Sequence, residues 1–175
     1  MKSIYIYLLG ISFLLASCGG GKPGQADEQD TTAQSTEVTA ASIPGIDKVA
    51  VTDSINLQAN DDMRFDKELF KIKSGKKIVL TLKNTGVQNT MPMSHNVVIL
   101  TKGTDLLTFA EEARKFKKED YIPSTFASAI IAHTKQVSAG KTDEVTFTIT
   151  QSGVYNFICS YPGHWGTMQG QIVVE

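Results

Sequence analysis

The chain predicts an all-β fold, about eight short strands packed as an antiparallel sandwich or barrel, with one helical insertion around residues 105–120. Three observations carry this. Short runs alternate apolar and polar residues, the period of a half-buried strand. Glycine, asparagine, aspartate and proline punctuate those runs where turns are needed. Only Asp105 to Asp120 places its apolar residues, Leu106, Phe109, Ala110, Ala113 and Phe116, at helical spacing.

At 175 residues the chain is long enough for one domain. Met1-Lys2 gives a positive start, and Ile4 to Leu15 is mostly apolar, too short for a comfortable membrane span and proportioned like a secretory signal. Leu15-Ala-Ser-Cys18 resembles a bacterial lipobox, which implies that residues 1–17 are removed and that Cys18 carries lipid on its thiol and amino group. An ordinary signal peptide cleaved nearby is the alternative. Residues 18–45 follow as a lipidated cysteine and a tether of Gly, Ser, Thr, Gln, Ala, Asp and Glu, too polar to offset the entropy of ordering. A flexible tether of that length reaches roughly 25–30 Å on average. The folded domain is expected over residues 46–175.

Strands are expected at Val49–Val51, Ile55–Leu57, Phe70–Ile72 and Ile78–Leu82, each alternating. His95 to Leu100 is a continuous apolar run that begins at a histidine. Val145–Ile149, Val154–Cys159 and Gln171–Val174 complete the set. In the helical insertion Asp105 suits the start and lysines crowd the far end, as the helix dipole favours. Arg114, Lys115, Lys117 and Lys118 read as its solvated face. A formal net charge of -1 gives no reason to expect nucleic acid as a partner.

Cys159-Ser-Tyr-Pro-Gly-His164-Trp-Gly-Thr-Met168 carries the chemistry. With Cys18 lipidated, Cys159 is the single thiol of the mature protein, so a structural disulfide is excluded and a metal-ligand role is favoured by its company. Thiolate and thioether suit Cu(I), imidazole suits both copper states, and two histidines with a cysteine and a weak axial methionine make a blue-copper set. The loop holds one histidine, and His95 is the candidate for the second. Pro162-Gly163 supplies a tight turn between Cys159 and His164.

Met93-Ser-His95-Asn96-Val, Ile131-Ala-His133-Thr-Lys135, Val145-Thr-Phe147 and Cys159-x4-His164-x3-Met168, together with Leu57-Gln-Ala-Asn-Asp61-Asp-Met63, resemble the azurins, within the cupredoxin family of type 1 blue copper proteins. The resemblance runs from about Val51 onward and implies a Greek-key sandwich holding one copper. It implies Cys159, His95 and His164 as equatorial ligands, Met168 as the distant axial sulfur, and the Ser94 carbonyl, where azurins usually have glycine, as a weak axial oxygen. Asn96 would bridge the two ligand segments, with Ser160 beside it, and the N–H groups of Asn96 and Tyr161 would point at the Cys159 sulfur. His133 matches a surface histidine outside the coordination shell. Three departures stand out: Gly75 replaces half of the azurin disulfide, Val97 stands where tryptophan is frequent, and Trp165 sits next to His164. Met63, Pro92, Met93, Tyr161, Pro162 and Trp165 are expected to form an apolar rim for brief docking, though Trp165 has the simpler role of packing on its own loop.

The function expected is single-electron transfer by a membrane-tethered copper protein, with no substrate bond made or broken. Its partners would be redox proteins, cytochromes or copper or haem oxidoreductases, and a monomer is expected. The location would be the bacterial cell envelope, with the copper domain in the periplasm or at the cell surface. A copper carrier, chaperone or buffer is the alternative. An enzyme with a second metal centre would need more histidines than the three present.

Overall fold

A computed structural model describes residues 40–87 and 93–175. The expected signal, Cys18, most of the tether and Pro92 lie outside the described residues. Two sheets face each other. The smaller orders β1 (Ser54–Ala59), β3 (Lys77–Asn84) and β6 (Thr142–Thr148). The larger orders β2 (Leu69–Ile72), β8 (Gln169–Val174), β7 (Gly153–Ile158), β4 (Val98–Leu100) and β5 (Ile130–His133).

Alternation positions the core. Ile55, Leu57 and Ala59 on β1 and Ile78, Leu80 and Leu82 on β3 point inward, opposite Phe157, Ile172 and Val174 of the larger sheet. Phe157 stacks against Phe65 and Phe70, with ring centroids 5.7 and 5.8 Å away. Gly170 makes this possible, since a Cβ there would collide with the Phe157 ring and the Glu68 carbonyl.

The continuous apolar run at β4 has a specific cause. Val97 and Ile99 face the main core, while Val98 and Leu100 face a second core built with Ile158 of β7 and Phe109, Ala113 and Tyr121 of the insertion. A strand covered on both faces has no polar face to alternate.

Four details differ from the expectation. β1–β3 and β2–β8 pair in parallel, because consecutive strands lie in opposite sheets and the chain returns in the same direction. Val51 makes an isolated bridge to Lys71 rather than a strand. The insertion forms α1 (Leu106–Ala113), capped by Asp105, whose carboxylate accepts the Thr108 N–H at 2.7 Å. It then breaks into 3-10 turns at Lys117–Glu119 and Ser124–Ala129, separated by Asp120 and Tyr121 at φ 55 and 60. His95 precedes β4 and makes an isolated bridge to Val137, while the Val97 N–H between them donates to the Thr134 hydroxyl at 3.0 Å rather than to a strand carbonyl. β5, quoted in sequence only as the Ile131-Ala-His133 motif, is the one unexpected strand among the described residues.

Candidate metal centre

Cys159 immediately follows β7 and Met168 immediately precedes β8, so the loop between them is closed at its base by the antiparallel Ile158–Gln169 pair. The Cys159 N–H donates to the Met168 carbonyl at 2.9 Å. The His164 N–H donates to the Tyr161 carbonyl at 3.0 Å, with Pro162 and Gly163 between them and Gly163 at φ 85. That is the pattern of a type II turn, which needs a residue free to take positive φ at its third position. The N–H groups of Thr167 and Met168 then return to the His164 carbonyl at 3.0 and 2.9 Å. Ten residues thus fold largely on their own hydrogen bonds.

His95 reaches the same point from the other side of the chain. One ligand atom each from His95, Cys159 and His164 lie within 4.8 Å of one another. The Cys159 Sγ stands 3.7 Å from the His164 Nδ1, and the two imidazole rings have centroids 5.0 Å apart. His95, Cys159 and Met168 have no exposed surface, and His164 keeps 4 %.

Two observations make this a metal site rather than a packed polar cluster. Both ring nitrogens of His95 are buried without a hydrogen bond of good geometry, although the Asn60 carbonyl and the Asp61 carboxylate lie near enough to favour its protonation weakly. Orphaned buried nitrogens are costly unless something binds them. Burial also pushes the Cys159 thiol up to about 11, with the N–H groups of Asn96 and Tyr161 pulling the other way. It pushes His164 down to about 4, aided by the neighbouring His95, and lowers His95 as well. At neutral pH both imidazoles therefore offer lone pairs, and a metal has only the thiol proton to displace. A thiolate, two imidazoles and a buried thioether fit copper.

Asn96 joins the His95 and Cys159 segments. Its Oδ1 accepts the Ser160 N–H at 2.8 Å and its Nδ2 donates to the Ser160 hydroxyl at 2.8 Å. The same Nδ2 reaches the Asp120 carbonyl at 3.2 Å, which ties the copper loop to the insertion. Ser94 is half-buried, its hydroxyl 3.4 Å from that of Ser138. His133 is exposed and bonds only its own neighbourhood, the Thr134 carbonyl, at 3.1 Å. Cys159 is the free cysteine among the described residues, and Gly75 sits in a turn at φ 72.

Met63, Met93, Tyr161, Pro162 and Trp165 are each half-buried. Trp165 and Tyr161 pack against the second core, and the Tyr161 ring lies 4.6 Å from His164 and 5.1 Å from Tyr121. Sequence reasoning missed Asn84, the Asp120 carbonyl and Thr167, whose hydroxyl donates to the Met63 carbonyl at 2.9 Å. Of these only Asn84 left a trace in the sequence, an amide at an inward position of an alternating strand.

Residues 51–175 match the family described as copper binding proteins, plastocyanin/azurin family. The chain is 33% identical over 122 residues to azurin from Alcaligenes faecalis, covering 67% of this chain and 94% of the relative. It is 34% identical over 140 residues to azurin from Achromobacter denitrificans, covering 77% and 91%. Among solved structures it is similar to reduced auracyanin from Roseiflexus castenholzii, with a TM-score of 0.65, 31% identity, and coverage of 72% of this chain and 99% of that one. Auracyanin A from Chloroflexus aurantiacus, described as a "blue" copper protein, matches with a TM-score of 0.62 and 27% identity over 72% of this chain and all of its own. With its sandwich, its buried His-Cys-His cluster and these relatives, the chain belongs to the plastocyanin/azurin family of copper-binding proteins.

Proposed function

We propose that this protein carries single electrons between redox partners on one type 1 copper. The ligands in this reading are His95, Cys159 and His164, with Met168 axial and the Ser94 carbonyl as a weak axial oxygen. Copper held there would supply a one-electron couple between Cu(I) and Cu(II). The protein's part is to exclude water and hold the donors still. Loop hydrogen bonds, the Asn96 bridge and the surrounding core fix the donors before metal arrives, so a change of oxidation state has little to rearrange. The observation that carries the reading is the burial of all four side-chain donors, His164 alone retaining a 4 % edge toward solvent. That edge is where an electron would enter and leave, inside a rim of Met63, Met93, Tyr161, Pro162 and Trp165 against which a redox protein would dock.

Such enclosure disfavours a copper carrier, which must surrender its ion readily. Loading the protein with Cu(II) and recording its visible spectrum and voltammogram tests both readings. An intense blue colour with a reversible one-electron couple is expected. A colourless Cu(II) form, or rapid loss of Cu(I) to a chelator, would overturn electron transfer.

Membrane attachment through lipid on Cys18, in a bacterial cell envelope, belongs to the same proposal and rests on the Leu-Ala-Ser-Cys18 run. Detergent phase partition of the expressed chain tests it. The native chain is expected in the detergent phase and the Cys18→Ala variant in the aqueous phase; a native chain in the aqueous phase would count against the anchor.

A further inference from the structure

Along β3 the inward positions are Ile78, Leu80, Leu82 and then Asn84, which is fully buried. A buried polar group left without a partner costs about 1–3 kcal/mol, and Asn84 is well supplied. Its Nδ2 donates to the carbonyls of Met93 and Val137, both at 2.9 Å, and its Oδ1 accepts the Gly86 N–H at 2.9 Å. The Val137 carbonyl also accepts the His95 N–H at 3.1 Å, and the Val137 N–H donates to the His95 carbonyl at 2.7 Å. One amide therefore grips the chain two residues before His95 and the bridge partner of His95 itself. Between those two grips lies Ser94.

We propose that Asn84 is a positioning residue for the copper centre, setting where the Ser94 carbonyl and the His95 imidazole stand. The part concerning Ser94 rests on the copper reading above. It has an electronic consequence. An oxygen donor favours Cu(II) over the softer Cu(I), so loosening the Met93–His95 segment weakens Cu(II) binding selectively and raises the potential.

The test compares the native chain with Asn84→Ser and with Thr85→Val, which removes only the neighbouring hydroxyl bond to the Ala59 carbonyl. In the metal-free protein, hydrogen exchange at the His95 and Val137 amides is expected to quicken at least tenfold in Asn84→Ser, measured against the Leu80 amide, and to stay unchanged in Thr85→Val. Copper-loaded Asn84→Ser is expected to remain blue with its potential raised by a tenfold change in the Cu(II)-to-Cu(I) affinity ratio, ~59 mV for one electron. Thr85→Val should not move it. A blue native protein whose Asn84→Ser variant shows unmoved exchange, or faster exchange with an unmoved potential, overturns the inference. A colourless native protein overturns the copper reading instead, and leaves the exchange comparison intact. If Asn84→Ser does not fold, the native chain decides: His95 and Val137 amides that exchange at open-loop rates sink the proposal, and exchange only through global unfolding upholds it.

Discussion

The two halves of the metal centre are built by opposite means. The segment Cys159–Met168 brings a thiol, an imidazole and a thioether within ten residues and closes on itself, through a hairpin base, a Pro-Gly turn and carbonyls reused inside the loop. The His95 segment brings one donor and has no regular strand of its own. It is held from outside, by the Val137 bridge, by Asn84 and, through Asn96, by Ser160 and Asp120. Local chemistry sets one side of the site and long-range hydrogen bonding sets the other.

The most forceful way to break this arrangement is to remove the donor on which both halves converge. Cys159→Ser is expected to abolish the intense blue colour and to lower copper affinity at least ~100-fold, because thiolate is the soft ligand of the set. Spectroscopy with chelator competition checks it; a variant that stays blue would remove Cys159 from the ligand set.

Asn96→Ala cuts the link between the halves and strands the buried Ser160 N–H and hydroxyl. A loss of about 2–4 kcal/mol is expected from denaturant midpoints, with the metal-free protein affected as much as the loaded one. No loss would mean that the halves are held independently.

The metal-free site should also limit stability at both ends of the pH scale. His164 titrates near 4 in the folded chain and near 6.5 unfolded, so the unfolded chain takes up the proton first and stability falls as pH drops from about 6.5 to about 4. The shift corresponds to on the order of 3 kcal/mol. At the alkaline end the Cys159 thiol, raised to about 11, stays protonated while the unfolded thiol ionises, so stability falls as pH rises from about 9 toward 11. Unfolding midpoints across pH test both limbs. A flat acid limb would show that His164 is better hydrated than its burial implies.

Gly163→Ala sharpens the comparison most finely. No atom lies within 4 Å of the added methyl carbon, so only the backbone at φ 85 is strained. A cost of about 1 kcal/mol is expected, confined to the loop half, with the His95 and Val137 amides exchanging as before.

The same contrast explains what could be read from the sequence. Cys159, His164, Met168 and the Pro162-Gly163 turn were legible because spacing and turn chemistry act within a few residues. Strands β1, β2, β3 and β6 were legible because alternation reports a face. Asn84, the Asp120 carbonyl and the Thr167 hydroxyl were not, because each has a partner tens of residues away and all three act on or through backbone carbonyls that any residue provides. β5 escaped for a related reason: Ile130, Ile131 and Ala132 are all only half-buried, so no face stands out. The parallel pairings were invisible because direction belongs to topology rather than to periodicity.

β8 lies between β2 and β7 in the larger sheet, yet it is synthesised after every other strand described here. A chain still emerging from a ribosome has both of those edges open and the base of the Cys159–Met168 loop unclosed. The thiol is then exposed to oxidants and to whatever metal is at hand. Completion of the sheet and selection of the metal thus fall at the same moment in the protein's life, so that a chain stalled before β8 has no assembled site to fill.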